Sequence, residues 1–315
     1  MKGLTDIPGV RVGHISDFEA ITGCTAILVE GGAVAGVDIR GSATGSQELD
    51  ALSPLHITPH IHGICLAGGS AFGLEAASGV RNYLEEHGTG FAFGGARVPI
   101  VPAAILFDLG IGKPAVRPTR EMGYAAAKAA TTDAVVEGSV GAGTGATVGK
   151  LRGLAQSMKG GIGSFTVKLG SNVLVSALVA TNAYGDVIDP KTARVVAGAR
   201  KSKESRDFID TTEAIRSGAR LSQSAANTTL GVVATNARLT KAQATRLAAL
   251  AQHGMVRTIS PVHTLGDGDL VFAMSVGSET ADFVSLGVAA ADALGEAILR
   301  SVRQAKSLGG VPGLL

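Results

Sequence analysis

A polar segment runs into an apolar strand at Ala225-Ala226-Asn227-Thr228-Thr229-Leu230-Gly231-Val232-Val233-Ala234-Thr235-Asn236. Residues 201–224 are polar and dotted with charges, whereas residues 230–234 carry the aliphatic side chains that suit a pleated strand. A Thr at such a junction is ordinarily only a strand-forming residue. If the bond between Asn227 and Thr228 broke, Thr228 would carry a free α-amine beside its hydroxyl, which is the arrangement of an N-terminal threonine nucleophile.

The composition indicates a globular chain with a mainly aliphatic core. Of 315 residues 45% are hydrophobic, yet there is no Trp, and Gly occurs 44 times. The formal net charge is +2 and no long block of like charge occurs, so we expect no nucleic-acid partner and no membrane partner. Cys24 and Cys65 lack metal or redox spacing, and residues 1–6 lack the apolar core of a signal peptide. We therefore expect a cytoplasmic protein.

The apolar pattern predicts a layered fold of strands and helices in a single domain, residues 1–315. Strands are expected at residues 10–14, 24–29, 35–39, 61–67, 99–107, 173–181, 187–190, 230–234 and 270–276, and helices at 74–87, 121–131, 241–253 and 281–304. Glu30-Gly31-Gly32 predicts a hairpin between the second and third strands. Strand 187–190 is expected to pair with strand 173–181, and residues 201–226 resemble a linker. This mixture without a repeat favours an α/β or α+β domain.

The turn Gly68-Gly69-Ser70-Ala71-Phe72-Gly73 joins a predicted strand to a predicted helix. Backbone N–H groups in such a turn can bind an anion, but the spacing matches neither a dinucleotide fingerprint nor a P-loop. A tight turn explains the glycines more simply. His56, His60 and His62 cannot share a helical face across Pro59, and no Cys completes a ligand set. We expect no metal and no cofactor.

Four polar residues elsewhere could assist a nucleophile. Lys150 ends a glycine-dense segment, Asn182 ends a predicted strand, and Asp267 and Asp269 flank Gly268. A buried lysine can lower the pKa of a neighbouring hydroxyl or amine, an asparagine amide can stabilise an oxyanion, and two carboxylates could orient Thr228. Each residue also has an ordinary structural explanation, so the hypothesis requires that they converge on Thr228.

Several motifs occur in order along the chain. They are Gly9-Val10-Arg11-Val12-Gly13-His14, Leu66-Ala67-Gly68-Gly69-Ser70-Ala71-Phe72-Gly73-Leu74, Val140-Gly141-Ala142-Gly143-Thr144-Gly145-Ala146, Lys159-Gly160-Gly161-Ile162-Gly163-Ser164, Asn227-Thr228-Thr229-Leu230, and His263-Thr264 with Asp267-Gly268-Asp269. Over nearly the whole chain this resembles the self-processing aminopeptidase family that includes the L-aminopeptidase/D-esterase, the β-aminopeptidases and the nylon-oligomer hydrolase.

The resemblance implies a four-layer α/β/β/α sandwich, the DOM-fold, related to the N-terminal nucleophile hydrolases. It also implies a precursor that cuts itself before a Ser or Thr, after which that residue attacks an amide to give an acyl-enzyme. By position, Thr228 matches the nucleophile and Asn227 the new C-terminus, while the supporting residues match Lys150, Asn182, Asp267 and Asp269. The fragments would be residues 1–227 and 228–315. Thr229 is a rival nucleophile by type, but the motif register favours Thr228.

A peptide or oligoamide substrate follows from the same resemblance, as does a homo-oligomer of processed units, often a tetramer. We expect backbone contacts to the substrate from Gly68, Gly69, Ser70, Gly143 and Thr144. The sequence leaves open whether the activity is that of a strict aminopeptidase or of a wider amidase. An acyltransferase of the ornithine-acetyltransferase type and a non-cleaving binding protein are alternatives.

Overall fold

The computed structural model describes residues 1–170, 172–219 and 227–315. Within these residues the strands are β1 (Arg11–Asp17), β2 (Thr22–Ile39), β3 (Gly45–Gln47), β4 (Ile61–Ala67), β5 (Phe91–Phe93), β6 (Ala96–Val98), β7 (Ala103–Ile105), β8 (Thr147–Val148), β9 (Met158–Lys159), β10 (Gly161–Leu169), β11 (Val173–Asn182), β12 (Asp186–Asp189), β13 (Arg194–Ala197), β14 (Thr228–Ala237), β15 (Ile259–Ser260) and β16 (Leu270–Glu279). The α-helices are α1 (Ala76–Glu86), α2 (Arg120–Lys128), α3 (Thr211–Arg216), α4 (Lys241–Thr258) and α5 (Phe283–Arg303). Ala225, Ala226 and the rest of the predicted linker from residue 220 lie outside the described residues.

In the described part of the chain, nine strands are joined edge to edge by hydrogen bonds. Their order is β10-β11-β14-β16-β2-β4-β7-β3, and β1 pairs with β2. Neighbouring strands are antiparallel except for the pairs β14–β16 and β4–β7, which are parallel. Because β14 and β16 are parallel, the first residues of both strands lie at the same end of the sheet.

The hairpin predicted at residues 30–32 is wrong, because β2 continues through them as one strand. Its first half pairs with β1 and β4, and its second half, from Val34 to Ile39, pairs with β16. The register to β4 shifts between Leu28 and Ala33, and Gly32 has a φ of 83°. The two glycines thus form an irregularity within a strand, where they let it pass from one sheet layer to the next instead of reversing it.

Three apolar cores divide the molecule into four layers. One core packs α4 and α5 against β11, β14 and β16, and another packs α1 and α2 against β2 and β4. The third lies between the two halves of the nine-stranded sheet. Because side chains alternate along a strand, Val233 faces α4 and α5 while Val232 faces the middle core. In the same way Cys65 faces α1 and α2, and Leu66 faces the middle. The predicted α/β/β/α sandwich is confirmed.

The two long helices begin at capping residues and pack closely on the sheet. Thr240 caps α4 through a capping box with Gln243, and Asp282 caps α5 by accepting from the backbone N–H of Ser285. Beneath α5, a side chain on Gly163 would lie 2.0 Å from the backbone oxygen of Ala297. The absence of a side chain there allows the helix to approach β10.

Strand β12 does not pair with β11, so the predicted pairing of residues 187–190 with 173–181 is wrong. Both edges of β11 are already occupied, by β10 and by β14. Instead β12 pairs with β13 and β15 in a separate three-stranded sheet. The chain therefore leaves the main sheet directly after Asn182.

Candidate active site

Thr228 is the first residue of β14, at the end of the sheet where three segments of the chain meet. It lies opposite Asn182, the last residue of antiparallel β11. Because β14 and β16 are parallel, the turn that precedes β16 lies at the same end of the sheet, and Asn227 forms a β-bridge with Asp267. Asn227 and Thr228 are only 2% and 3% exposed. The fold thus buries the bond between them among residues singled out from the sequence.

The hydroxyl of Thr228 lies against the preceding peptide group. Its Oγ1 donates to the backbone oxygen of Asn227 at 2.5 Å. The same oxygen accepts the backbone N–H of Gly268 at 2.8 Å. The carbonyl of Asn227 is therefore polarised by a donor from the turn between Asp267 and Asp269.

Asn182 connects Thr228 to Lys150. Lys150 Nζ donates to the backbone oxygen of Asn182 at 2.9 Å and to its side-chain Oδ1 at 2.8 Å. That Oδ1 also accepts the backbone N–H of Thr147 at 3.0 Å, and Nδ2 donates to the backbone oxygen of Phe107 at 3.0 Å. These contacts fix the orientation of the Asn182 amide next to Thr228.

The electrostatic state of Lys150 follows from its surroundings. The pKa of Lys150 is lowered to about 7, chiefly by burial and also by the charge of Lys159, against the opposite influence of Asp267, Asp269 and Asp108. A lysine with a pKa near 7 is in part a neutral amine at neutral pH, and a neutral amine can accept a proton. Lys150 is therefore a candidate proton acceptor.

Asp269 holds the backbone just beyond Thr228. Its Oδ1 accepts the backbone N–H of Thr229 at 2.7 Å, and its Oδ2 lies 2.9 Å from His263 Nδ1. The backbone N–H of His263 also donates to Oδ2, at 3.2 Å. This carboxylate links the start of β14 to the turn before β16.

Asp267 is anchored mainly within its own turn. Its Oδ2 accepts the backbone N–H and the hydroxyl of Thr264, at 2.8 and 2.6 Å. Burial raises the pKa of Asp267, and the neighbouring charge of Asp269 raises it further. The structure thus brings six of the residues singled out from the sequence together at one end of the sheet: Lys150, Asn182, Asn227, Thr228, Asp267 and Asp269.

Three residues near this end of the sheet, Asp108, Lys159 and His263, were not assigned a role from the sequence. Asp108 is buried and accepts from Thr22 Oγ1 at 2.7 Å, and Lys159 Nζ donates to Thr144 O and Ala146 O, each at 2.7 Å. Burial raises the pKa of Asp108 and lowers the pKa of Lys159 to about 7. Lys159 and His263 begin two of the motifs quoted above, which was the available signal, whereas nothing in the sequence marked Asp108.

The glycine turn after β4 lies beside Asp108. The backbone N–H groups of Gly68, Gly69 and Ser70 donate within the protein, to Gly23 O at 2.9 Å, Asp108 Oδ1 at 2.7 Å and Leu106 O at 3.1 Å respectively. These bonds account for the turn as a structural feature. Contact of these residues with a substrate stays a prediction.

Gly143 and Thr144 lie in the buried segment that leads to Lys150. The hydroxyl of Thr144 donates to the backbone oxygen of Gly141 at 2.7 Å, and its own backbone oxygen accepts from Lys159. Their expected role in binding substrate also stays a prediction, while their observed contacts shape the loop that carries Lys150.

A cavity of about 220 Å³ opens next to Lys150. Its walls are formed by Phe107, Asp108, Gly110, Ile111, Gly145, Thr147, Lys150, Gly153 and Leu154. Most of these side chains are apolar or absent, and Lys150 and Asp108 are the charged groups among them. The cavity therefore suits a small, largely apolar group with a polar atom near Lys150 or Asp108.

No group of three or more His, Cys, Asp or Glu able to hold a metal ion occurs among the described residues. Of the three histidines weighed as ligands, His56 and His60 are exposed, and His62 Nδ1 accepts the backbone N–H of Ile100 at 3.1 Å. Across the same residues we find no helix with the length and apolar character needed to span a bilayer.

Comparison with known proteins gives consistent matches along the chain. The model of peptidase family S58 matches residues 2–314. A Mycobacterium leprae protein described as an uncharacterized aminopeptidase is 39% identical over 99% of this chain and 93% of its own length. The 6-aminohexanoate-oligomer endohydrolase of Paenarthrobacter ureafaciens is 31% identical over 94% of this chain and 84% of its own length.

The solved structure of the L-aminopeptidase D-Ala-esterase/amidase from Ochrobactrum anthropi is similar in fold. It superposes with a TM-score of 0.72, covers 99% of this chain and 88% of that chain, and is 20% identical in sequence. That protein is described as a variant of the Ntn hydrolase fold. The four-layer arrangement found here is thus that of the Ntn hydrolases.

Proposed function

This chain belongs to peptidase family S58, whose members hydrolyse peptide or amide bonds, and we propose that it does so with Thr228 as an N-terminal nucleophile. In this proposal the chain first cuts itself between Asn227 and Thr228. The observation that carries it is the convergence of Lys150, Asn182 and the turn 267–269 on the buried start of β14.

Self-cleavage begins with attack of Thr228 Oγ1 on the carbonyl carbon of Asn227. The hydroxyl proton passes to Lys150, which is partly neutral near pH 7. As the C–N bond breaks, the same proton reaches the nitrogen of Thr228 and leaves an α-amine, while the acyl group of Asn227 moves to the hydroxyl as an ester. Water then hydrolyses the ester, giving the carboxylate of Asn227 and a free Thr228.

Turnover repeats this chemistry on a substrate. The new α-amine of Thr228, with an ordinary pKa of about 7.7–8.0, accepts the hydroxyl proton near neutral pH. The hydroxyl attacks the substrate amide, the amine product leaves, and water resolves the acyl-enzyme. Asn182, which is paired with Thr228 across β11 and β14, would stabilise the oxyanion through its amide, and Asp269 holds the adjoining backbone through Thr229 N–H.

The substrates we propose are peptides or peptide-like oligoamides. The relatives are described as an aminopeptidase and as a hydrolase of 6-aminohexanoate oligomers, and both descriptions concern backbones built of amide bonds. The cavity walls of Phe107, Ile111 and Leu154 would accommodate the aliphatic part of such a chain.

Intact-mass spectrometry of the purified chain tests the proposal. The wild-type chain should give two fragments, residues 1–227 and 228–315, and T228A should remain a single chain without activity on peptide or oligoamide substrates. T229A is the matched control, because Thr229 is also a buried threonine, and it should process at Asn227 like the wild-type chain. Cleavage before residue 228 in T228A, or full turnover by that variant, would refute the assignment of Thr228.

A further inference from the structure

The turn Asp267-Gly268-Asp269 holds the peptide bond between Asn227 and Thr228 from both sides. The backbone N–H of Gly268 donates to the carbonyl oxygen of Asn227 at 2.8 Å. One residue beyond the bond, Thr229 donates its N–H to Asp269 Oδ1 at 2.7 Å. The bond is therefore presented to Thr228 Oγ1 in a fixed orientation.

This turn is itself anchored to neighbouring backbone. The backbone oxygen of Asp269 accepts the N–H of Gly41 at 3.0 Å, and that of Asp267 accepts the N–H of Ala43 at 2.9 Å. The Asp267 carboxylate closes the turn on Thr264. A donor held by such contacts needs little reorganisation when charge develops on its acceptor.

Gly268 also has no room for a side chain. A Cβ on Gly268 would lie 2.7 Å from Thr228 Oγ1 and 2.8 Å from the backbone oxygen of Ala43. The first contact involves the attacking atom itself. The second involves backbone that belongs to the anchoring contacts, so the neighbour cannot easily move away.

We propose that Gly268 is a catalytic residue of self-cleavage: its N–H stabilises the oxyanion formed on the Asn227 oxygen, and its missing side chain leaves the space in which Thr228 Oγ1 attacks. The inference rests on the proposed function, because it needs Thr228 to be the attacking residue. It adds to the residues already considered a backbone donor, which no side-chain motif can reveal.

The chemical step balances without any further reactant. As the bond from Oγ1 to the Asn227 carbon forms, the electron pair of the C=O bond moves to the oxygen, where the Gly268 N–H receives the charge. When the C–N bond breaks, that pair returns to form the ester carbonyl, and the proton from Oγ1 ends on the Thr228 nitrogen. The Gly268 N–H keeps its proton throughout.

The first test follows the rate of conversion of full-length G268A into fragments by intact mass. We expect conversion to slow by at least about 100-fold, the scale on which loss of oxyanion stabilisation acts. G31A is the matched control, since a Cβ on Gly31 meets nothing within 4 Å, and it should process at the wild-type rate. Processing of G268A at the wild-type rate would overturn the inference.

Hydroxylamine identifies the affected step, because it cleaves an ester rapidly but not an amide. If Gly268 assists ester formation, hydroxylamine leaves conversion of G268A slow. If hydroxylamine restores the wild-type rate to G268A, the ester forms normally and the proposed role is wrong.

A second measurement does not depend on the folding of G268A. In the full-length T228A chain, which keeps Gly268, the amide hydrogen of Gly268 should exchange with solvent at least about tenfold more slowly than that of Gly94, an exposed turn residue. Equal exchange rates would show that the N–H is not held by Asn227 and would overturn the proposal. A wild-type chain that never splits before Thr228 would instead defeat the proposed function, so the two failures can be told apart.

Discussion

Replacement of Lys150 by Met tests the proposal that Lys150 is the proton acceptor of self-cleavage. Burial places the pKa of Lys150 at about 7, so at pH 6 only about one-tenth of the lysine is neutral and at pH 5 about one-hundredth. The cleavage rate of the intact wild-type chain should therefore rise about tenfold per pH unit up to pH 6 and level off above about pH 7. General base catalysis contributes about 10²- to 10⁴-fold, so K150M should cleave slower by a factor in this range.

The assay uses freshly prepared, uncleaved chain and follows intact mass with time between pH 5 and pH 9. The proposed self-cleavage should give a simpler profile than turnover, because in the uncleaved chain Thr228 has no free α-amine that could add its own titration. K150M should show a slow rate without the inflection near pH 7. K168M serves as a control, since Lys168 is exposed, and it should follow the wild-type profile.

Lys159 supplies a sharper comparison, because burial lowers its pKa to about 7 as well. Its positive charge lowers the pKa of Lys150, so K159M should keep an inflection but move it to higher pH. If K150M retains the inflection and K159M loses it, Lys159 is the titrating group and the reasoning about Lys150 is refuted. A wild-type cleavage rate that does not change from pH 5 to 9 would show that neither lysine is the proton acceptor.

The lowered pKa also predicts how stability changes with pH. The folded-state pKa of Lys150, about 7, lies below its ordinary value of 10.5, so between these values the unfolded chain binds more protons than the folded chain. The free energy of unfolding then rises with pH over this window, by up to about 1.4 kcal/mol per pH unit from this group. In urea unfolding on the uncleavable T228A background, adding K150M should remove that part of the slope. An unchanged slope contradicts the prediction.

Three further predictions concern packing and the cavity. On the T228A background, G36A should lower the free energy of unfolding by about 1–3 kcal/mol in urea titrations, because its Cβ would lie 2.2 Å from the backbone nitrogen of Thr245. The control G31A, in the same strand, should change the free energy of unfolding by less than about 0.5 kcal/mol. T240A removes the capping box of α4 and should cost about 1 kcal/mol in the same titration, and no loss would contradict the cap. L154W should fill the cavity and lower kcat/KM at least about tenfold on oligoamides, while self-cleavage, followed by intact mass, keeps its rate.

The strand predictions succeeded where one short apolar run formed one strand. Strand β4 has the predicted bounds, Ile61–Ala67, and the predicted strand at 173–181 differs from β11 by one residue. They failed where tertiary pairing decides the result. The glycines at 31 and 32 have the composition of a turn, but pairing of the second half of β2 with β16 keeps the chain extended through them. Local sequence cannot contain that information.

For the site, the sequence suggested residue types but not their contacts. Asn182 ends a predicted strand, and its amide was considered as an oxyanion donor. Its hydrogen bond with Lys150, however, joins residues that are 32 positions apart in the chain. Asp108 was missed because a single Asp after a strand is typical of a turn, and only its burial against Thr22 distinguishes it. Gly268 was seen as part of a motif, but its N–H contact with Asn227 is a property of the fold.

The position of the proposed cut, at the peptide bond that precedes β14, explains how cleavage and stability can coexist. From Thr228 to Thr235 the strand is paired with β11 on one side, and from Leu230 onward it is also paired with β16 on the other. Breaking the bond before Thr228 removes none of these pairings. Strands β2, β10 and β11 precede the cut, while β14, α4, β16 and α5 follow it, and all of them meet in one sheet and its cores. The two fragments would stay interleaved, so the new α-amine would appear at a site whose other groups are already in place.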